Sequence, residues 1–502
     1  MLKIRIILVV LVLAGASWLT TLVDGGLGTV WTHNVVRNWE QFGFFKLHGQ
    51  LVDNEGGYQV DTHPQIYAGH RPASLYPFFL VQKLSHGIGA AHIYYALIAG
   101  VVFFCIWLLL ERTGKAFLLG GIAVLTPGYL CWQTTLDPNL ASVLVGFPFC
   151  IVVIWLMQKE RLNVVQMVLL LVLIIIYSAI NWSTVFVQGM LFATLLLLPK
   201  VSRRNLATYV FLAAVPAALI VGLSVIDKMT NGHKDSSQGF AMIYKAYGWG
   251  NSGYGQDLTT KTAFLRLLFT NLAGLLPVVI FLCWEMWNER KAGSQKTGPF
   301  FFLPFLAALF ALAVLRNYFG HHPWMSCNFV LLGIILSLVV WKSTRIADET
   351  PEKNRVKPAW QWAALGATFA YGFVVLSLYH IHNGQEFVLV KLVRGNTARP
   401  ANILITRDAD PKLADIQERL QEPLDRHIVV LDKIAEADAG MTNTFWLTAT
   451  KQDGRKLVAS TGGDGIDGPP LAKQLLGWYS RVIAHRRAGD RMDFDAQYYL
   501  YQ

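Results

Sequence analysis

Two carboxylates stand where apolar runs give way to polar chain. Asp24 closes the first run in Leu22-Val23-Asp24-Gly25-Gly26, and Asp137 occupies the turn Leu136-Asp137-Pro138. A charge is costly inside a bilayer and tolerated at its edge, so each is either an interfacial anchor or a functional acid placed at a helix mouth. Asp137 has a further bland role, because Pro138 suits a first helical turn that Asp137 can cap. Cationic side chains gather in comparable places. His70 and Arg71 follow Tyr67 in YAGHRP, Lys245 lies in GFAMIYKAYGWGNSGYG, and Arg316, His321 and His322 lie in RNYFGHHPWMSCN. The planar fork of Arg suits phosphate oxygens and His adds a further donor. The competing reading has Arg316 snorkelling to headgroups beside solvated histidines. Asn181 and Trp182 mark a short turn in YSAINWSTVF, where Trp commonly anchors a helix at the interface. Adjacent histidines lack helical ligand spacing and no carboxylate is near them in sequence, which argues against a metal centre there. Asp408 and Asp410 follow the run ILIT as Asp-x-Asp, a form that holds metals in nucleotide-sugar enzymes. The surrounding domain is too small for such a fold, so the pair reads as a strand-end turn and helix cap.

The elements that must carry these residues follow from composition. Of 502 residues, 54% are hydrophobic and only 15% charged, with a mean hydropathy of +0.40; globular domains carry about 25% charged residues. The chain therefore reads as a polytopic α-helical membrane protein. Its net charge of +11 does not indicate nucleic-acid binding, because Lys and Arg collect in short loops where they orient helices. The five cysteines show no metal-type spacing and imply no disulfide framework. The N-terminal run follows Lys3 and Arg5 and reaches Val23. That is long enough for a membrane helix and longer than a signal peptide needs.

Eleven apolar runs of spanning length are expected, at 6–23, 93–111, 116–133, 139–157, 163–180, 183–199, 207–226, 265–285, 299–315, 327–342 and 359–380. The linkers at 111–115, 158–161, 200–204, 288–296 and 342–357 are short and basic. They alternate with 24–92, 134–138, 181–182, 227–264 and 316–326, which hold the candidate residues. With the basic set in the cytoplasm, the N-terminus is inside and the C-terminus outside. The large first outer loop, 24–92, carries two amphipathic stretches. In HNVVRNWEQFGFF, Val35, Val36, Trp39 and Phe42 fall at helical spacing, and a second run follows Pro72. An apolar stripe opposite a cationic face suits a helix lying in the membrane surface. The membrane domain is expected over 1–380 and a small extracytoplasmic α/β domain over 381–502. Strands are expected at EFVLVKLV, ANILITRD, RHIVVLD and FWLTATKQ, and helices at PKLADIQERLQE and PPLAKQLLGWYSRVIAHRR.

These features resemble the GT-C class of membrane glycosyltransferases, which includes protein O-mannosyltransferases, aminoarabinose transferases and bacterial relatives. The resemblance rests on an acid at the start of the first outer loop followed by VVRNWEQFGFF, and on Tyr67, His70 and Pro72 in a Tyr-x-x-His-x-Pro string. It rests also on Leu136-Asp137-Pro138 and on the alternation of short inner and long outer loops. It covers roughly residues 1–200. It implies inverting transfer of a sugar from a polyprenyl-phosphate donor to a glycan, lipid or protein acceptor at the outer face of a bacterial cytoplasmic membrane. By that carry-over Asp24 takes the proton from the acceptor hydroxyl and Asp137 is the second outer acid. The donor phosphate falls to His70, Arg71, Lys245, Arg316, His321 and His322, and the sugar or acceptor to Tyr67, Asn181 and Trp182. The chain departs from the common Asp-Glu pair, since Gly25 and Gly26 follow Asp24, and it lacks the Trp-Trp-Asp signature of oligosaccharyltransferases. Such a transfer requires no cofactor, and whether a divalent metal assists stays open. A transporter or flippase, with charges at mid-bilayer, and an O-antigen ligase or polymerase are the alternatives; nucleic acid is not an expected partner.

Overall fold

A computed structural model describes residues 2–20, 27–52, 54, 60, 64, 72–85, 90–110, 113–134, 138–180, 184–214, 218, 222, 260–291, 299–314, 323–343, 358–398, 401–410, 426–433, 443–449, 451–452, 454–460 and 498–502. The helices are α1 (Leu2–Thr20), α2 (Leu27–Phe42), α3 (Tyr76–Leu84), α4 (Ala90–Leu109), α5 (Gly114–Leu125), α6 (Pro127–Thr134), α7 (Pro138–Met157), α8 (Val164–Ile180), α9 (Thr184–Leu197), α10 (203–214), α11 (Thr260–Lys291), α12 (Leu303–Val314), α13 (Pro323–Ser343) and α14 (Pro358–Asn396). Two compact units result. One comprises 1–21, 68–133 and 137–376, the other 22–67, 134–136 and 377–502.

The first unit is a helical bundle. By length and composition, four described helices can cross a membrane, at Ala90–Leu109, Leu267–Asn288, Ser326–Ser343 and Ala359–Leu378. Six further apolar helices, α1, α5, α7, α8, α9 and α12, accompany them. α13 is the centre: 89% of its apolar window is buried, against 22–44% for the other three. A helix that is apolar all round belongs in a core, and FVLLGIILSLVVW is such a run. α13 packs on α9, α11 and α12, and Gly333 brings it so close to α12 that an added Cβ would stand 2.8 Å from Ala308 Cβ. Trp18 of α1 stacks on Phe369 and Phe373 of α14, with centroids 5.9 and 5.8 Å apart.

One expected span, 116–133, is instead two helices. Thr126 is extended, with φ −69 and ψ 141, between α5 and α6. Pro127 is the cause, because its ring disfavours helical geometry in the preceding residue while suiting the first position of a new helix. Thr126 Oγ1 donates to Ala123 O at 2.8 Å, which satisfies the end of α5.

At one end of the bundle, Lys115 Nζ lies 3.0 Å from both carboxylate oxygens of Glu285, whose side chain is 6% exposed. Asn205 Nδ2 donates to Met157 O at 3.1 Å and Lys159 O at 2.7 Å. Each contact joins two of the short basic linkers, or the helix ends beside them. Glu285→Ala strands the ammonium and is expected to destabilise the protein by about 3 kcal/mol. Thermal unfolding in detergent checks this, with the double variant Lys115→Met/Glu285→Met recovering most of the loss.

In the second unit α2 is helical, as its spacing predicts, but its apolar stripe faces protein. Val35, Val36 and Trp39 are buried, which corrects the expectation that this stripe lies against lipid. The reason lies in the chain that follows. Asn38 Nδ2 donates to Val52 O at 2.9 Å and Asn54 O at 3.2 Å, Asn34 Nδ2 to Asn54 O at 3.3 Å, and Trp39 Nε1 to Gln50 O at 2.6 Å. The backbone of 50–54 is thus strapped along α2. In the first unit α3 keeps an exposed apolar row of Tyr76, Leu80 and Leu84, a helical i, i+4, i+8 stripe.

The C-terminal part holds a five-stranded sheet of order β2-β1-β3-β5-β4, formed by β1 (Asn402–Thr406), β2 (His427–Leu431), β3 (Thr444–Thr448), β4 (Leu457–Ser460) and β5 (Tyr499–Tyr501). β1 is parallel to β2 and β3, and β5 is antiparallel to β3 and β4. The expected strand EFVLVKLV is instead the end of α14. Its buried residues Leu389, Leu392 and Val393 repeat at helical spacing and pack on Ile403, Ile405, Ile428, Phe445 and Leu447, so packing overrides its β-branched composition. Arg426 donates from Nε to Thr397 Oγ1 at 2.9 Å and from Nη2 to Thr397 O at 2.7 Å, tying the helix end to β2. The two expected C-terminal helices, 411–422 and 469–487, lie outside the described residues.

Burial holds the His427 imidazole below its ordinary 6.5. The unfolded chain therefore binds a proton more readily than the fold does. The stabilising contribution is complete above pH 6.5 and is lost as pH falls through the lower folded value. His427→Gln is expected to flatten the acid limb of a stability–pH profile for the full chain between pH 7 and pH 5.

Candidate functional site

Asp24, Tyr67, His70, Arg71, Asp137, Asn181, Trp182, Lys245, Arg316, His321 and His322 all lie outside the described residues. The helix ends that border them are described. Asp24 falls between Thr20 of α1 and Leu27 of α2, and Asp137 directly precedes α7. Asn181 and Trp182 separate α8 from α9, and Arg316, His321 and His322 separate α12 from α13.

The bundle contains a junction that sequence reasoning missed. Gly128 of α6, Gly274 of α11 and Cys327 of α13 meet with no room for another side chain. A Cβ on Gly128 would stand 2.9 Å from Cys327 Sγ and 3.0 Å from the Gly274 carbonyl carbon. One on Gly274 would stand 3.0 Å from Gly128 Cα. Small residues are what allow helix backbones to approach this closely.

Polar side chains surround the crossing. Asn271 Nδ2 donates to Ser326 Oγ at 2.6 Å and Leu267 O at 2.8 Å, and Cys327 Sγ donates to Thr270 O at 3.8 Å. Five buried atoms on these three helices have no hydrogen-bond partner: Tyr129 Oη, Thr270 Oγ1, Asn271 Oδ1, and both Nδ2 and Oδ1 of Asn328. Tyr129, Thr270, Ser326 and Asn328 are 0% exposed. Each unmet group costs about 1–3 kcal/mol, and a polar group within a membrane helix is a functional candidate by default.

Thr270 and Asn271 lie about three turns into α11, which begins at Thr260, and Ser326 and Asn328 lie within about the first two turns of α13, which begins at Pro323. The signal in the sequence was Asn271, Ser326 and Asn328 within otherwise apolar runs. Chemically the junction is neutral and both gives and accepts hydrogen bonds, so it suits hydroxyls. Among the described residues no group of three or more His, Cys, Asp or Glu is placed to hold a metal.

A helical bundle in which α5 and α6 part at Thr126, followed by a small sheet, defines the architecture. No protein-family model matches the chain, and no curated protein matches it in sequence. Solved structures do match. ArnT from Cupriavidus metallidurans bound to undecaprenyl phosphate superposes with a TM-score of 0.52 at 12% identity, over 99% of this chain and 97% of that chain. ArnT from the same organism in the apo state gives 0.47 at 12% identity, over 86% of each chain. The chain is thus similar in fold to ArnT, in line with the GT-C resemblance of its first outer loop.

Proposed function

We propose that the chain is a GT-C membrane glycosyltransferase of the cytoplasmic membrane that uses a polyprenyl-phosphate sugar. Eleven membrane helices place both candidate acids on the outer face, and α3 lies in the membrane surface there with Tyr76, Leu80 and Leu84 toward lipid. The acceptor hydroxyl gives its proton to the Asp24 carboxylate as its oxygen attacks the anomeric carbon. The bond from that carbon to phosphate oxygen breaks on the opposite side, inverting the centre and releasing polyprenyl phosphate. Charge grows on the leaving phosphate, so fixed cationic donors lower the barrier; Arg316, His321, His322, Lys245, Arg71 and His70 are the candidates. The neutral junction of Tyr129, Thr270, Asn271 and Asn328 takes the sugar hydroxyls. No cofactor is needed, and a chelator arm tests whether a divalent metal assists.

The reading is carried by one conjunction: the fold is similar over 99% of the chain to a protein solved with undecaprenyl phosphate, and buried polar atoms without a hydrogen-bond partner occur on the packed helices α6, α11 and α13 of the bundle. The candidate residues stand between apolar runs in the sequence, which favours a transferase over a transporter, whose substrate site belongs near mid-bilayer. The test incubates purified protein with undecaprenyl-phosphate sugars and with lipid, glycan or peptide acceptors, following radiolabel out of the lipid phase. Acceptor-dependent transfer supports the reading; lipid-linked sugar moved across vesicles without bond cleavage would replace it by the flippase.

Topology offers a separate check. A reporter active only outside the cytoplasm should be active when fused after Gln502 and silent after Arg204. The reverse pattern would remove Asp24 from the outer face.

A further inference from the structure

The sheet has its own set of unsatisfied groups. At the end of β1, in the turn after it and in the middle of β3, Thr406 Oγ1, Asp410 Oδ2 and Trp446 Nε1 are buried without a hydrogen-bond partner, in residues 0%, 7% and 6% exposed. Thr406 and Trp446 share one face. Along β1, Ile403 and Ile405 face the α14 side, whereas Leu404 packs with Trp446 and Tyr501 on the other. Alternation puts Thr406 on the face of Leu404, and the register sets Leu404 beside Trp446. The turn after β1 folds over this edge, with Asp410 N donating to Thr406 O at 2.8 Å. Asp410 Oδ1 accepts from Ala449 N at 2.9 Å, just beyond β3. One carboxylate oxygen therefore ties the turn to β3 while the other is left unmet.

Topology marks the same spot. β1 lies between β2 and β3, all three parallel, so the chain leaves β1 toward one side and returns on the other. At such a switch point, outside the carboxyl ends of the strands, α/β sheets bind ligands.

We propose that this edge is a binding site for one neutral sugar ring, such as the terminal residue of a glycan. Each sugar hydroxyl donates and accepts, which matches Asp410 Oδ2 as acceptor, Trp446 N–H as donor and Thr406 as both. The apolar wall of Leu404, Trp446 and Tyr501 suits the C–H face of the ring. Arg455, exposed at the rim with its guanidinium 4.9 Å from the Trp446 ring centroid, supplies a further donor. Phosphate is disfavoured by the facing carboxylate, and a hard cation finds too few oxygens. The site stands on the sheet alone and is independent of the transferase reading.

Full-length protein in detergent is titrated with glucose, galactose, mannose and N-acetylglucosamine, and in separate arms with ethylamine and inorganic phosphate, followed by saturation-transfer NMR. At least one sugar should bind saturably. Asp410→Asn keeps the oxygen that meets Ala449 and removes the charge, and should weaken binding about tenfold. Thr406→Val is nearly isosteric and breaks no hydrogen bond made in the fold, so it tests the site without threatening it; weakened binding at unchanged melting temperature is expected. Asp24→Asn should leave this binding intact. The assignment is overturned if no sugar saturates, if ethylamine or phosphate binds instead, or if both variants bind sugar as wild type does. A higher melting temperature in Thr406→Val with unaltered sugar binding would mean a trapped water only, and also overturns it.

Discussion

Asp24→Asn should lower transfer about 10²–10⁴-fold, the range that a positioned general base contributes. The substitution keeps the side-chain volume and one carbonyl oxygen but removes the basic site to which the proposed mechanism assigns the acceptor proton. Lipid binding should change little, because in an inverting displacement the base and the phosphate stand on opposite sides of the anomeric carbon. The measurement is a single-turnover rate with a polyprenyl-phosphate sugar, beside an equilibrium binding assay with polyprenyl phosphate alone. Asp137→Asn is the necessary partner experiment. Asp137 directly precedes Pro138 at the start of α7, where a carboxylate also acts as a cap, and Asn caps almost as well. A cap alone therefore predicts near-normal activity for Asp137→Asn. A dead Asp137→Asn with an active Asp24→Asn would transfer the base role to Asp137. Two active variants would leave the mechanism without its acid.

Much of the architecture was legible because a bilayer imposes a strong pattern: apolar runs long enough to span, with basic residues in alternate loops. The errors have local causes. The break at Thr126 needed Pro127 to outweigh an unbroken apolar run from Ala116 to Leu125 and beyond. The missed helix end at 386–393 arose because Phe387, Val388, Val390 and Val393 favour strands by composition, whereas the spacing of Leu389, Leu392 and Val393 is helical. The strap on α2 was invisible because it is made by Asn34 and Asn38 to backbone carbonyls, and a carbonyl has no sequence signature. The polar junction was hidden for a related reason. Asn271 lies 55 residues before Ser326 in the chain, and the packing of α11 on α13 brings the two together.

Asn328→Leu separates a structural role for that junction from a functional one. Both polar atoms of Asn328 are buried and unpartnered, and the residue is 0% exposed on the central helix of the bundle. Leu has a similar volume and no polar atom. If Asn328 served only packing, exchange would relieve an unmet amide, raise stability by about 1–3 kcal/mol and leave activity unchanged. If it holds a sugar hydroxyl, the same exchange removes hydrogen bonds formed only with the donor bound. Transfer should then fall about 10–100-fold while the melting temperature stays equal or rises. A more stable, less active protein is the expected result, since a site built to hydrogen-bond its ligand carries its unmet groups at the expense of the empty fold. Asn328→Ser keeps one donor and acceptor and should retain part of the activity. Unchanged activity in a more stable Asn328→Leu would instead make Asn328 a packing residue of α13 and remove the junction from the site.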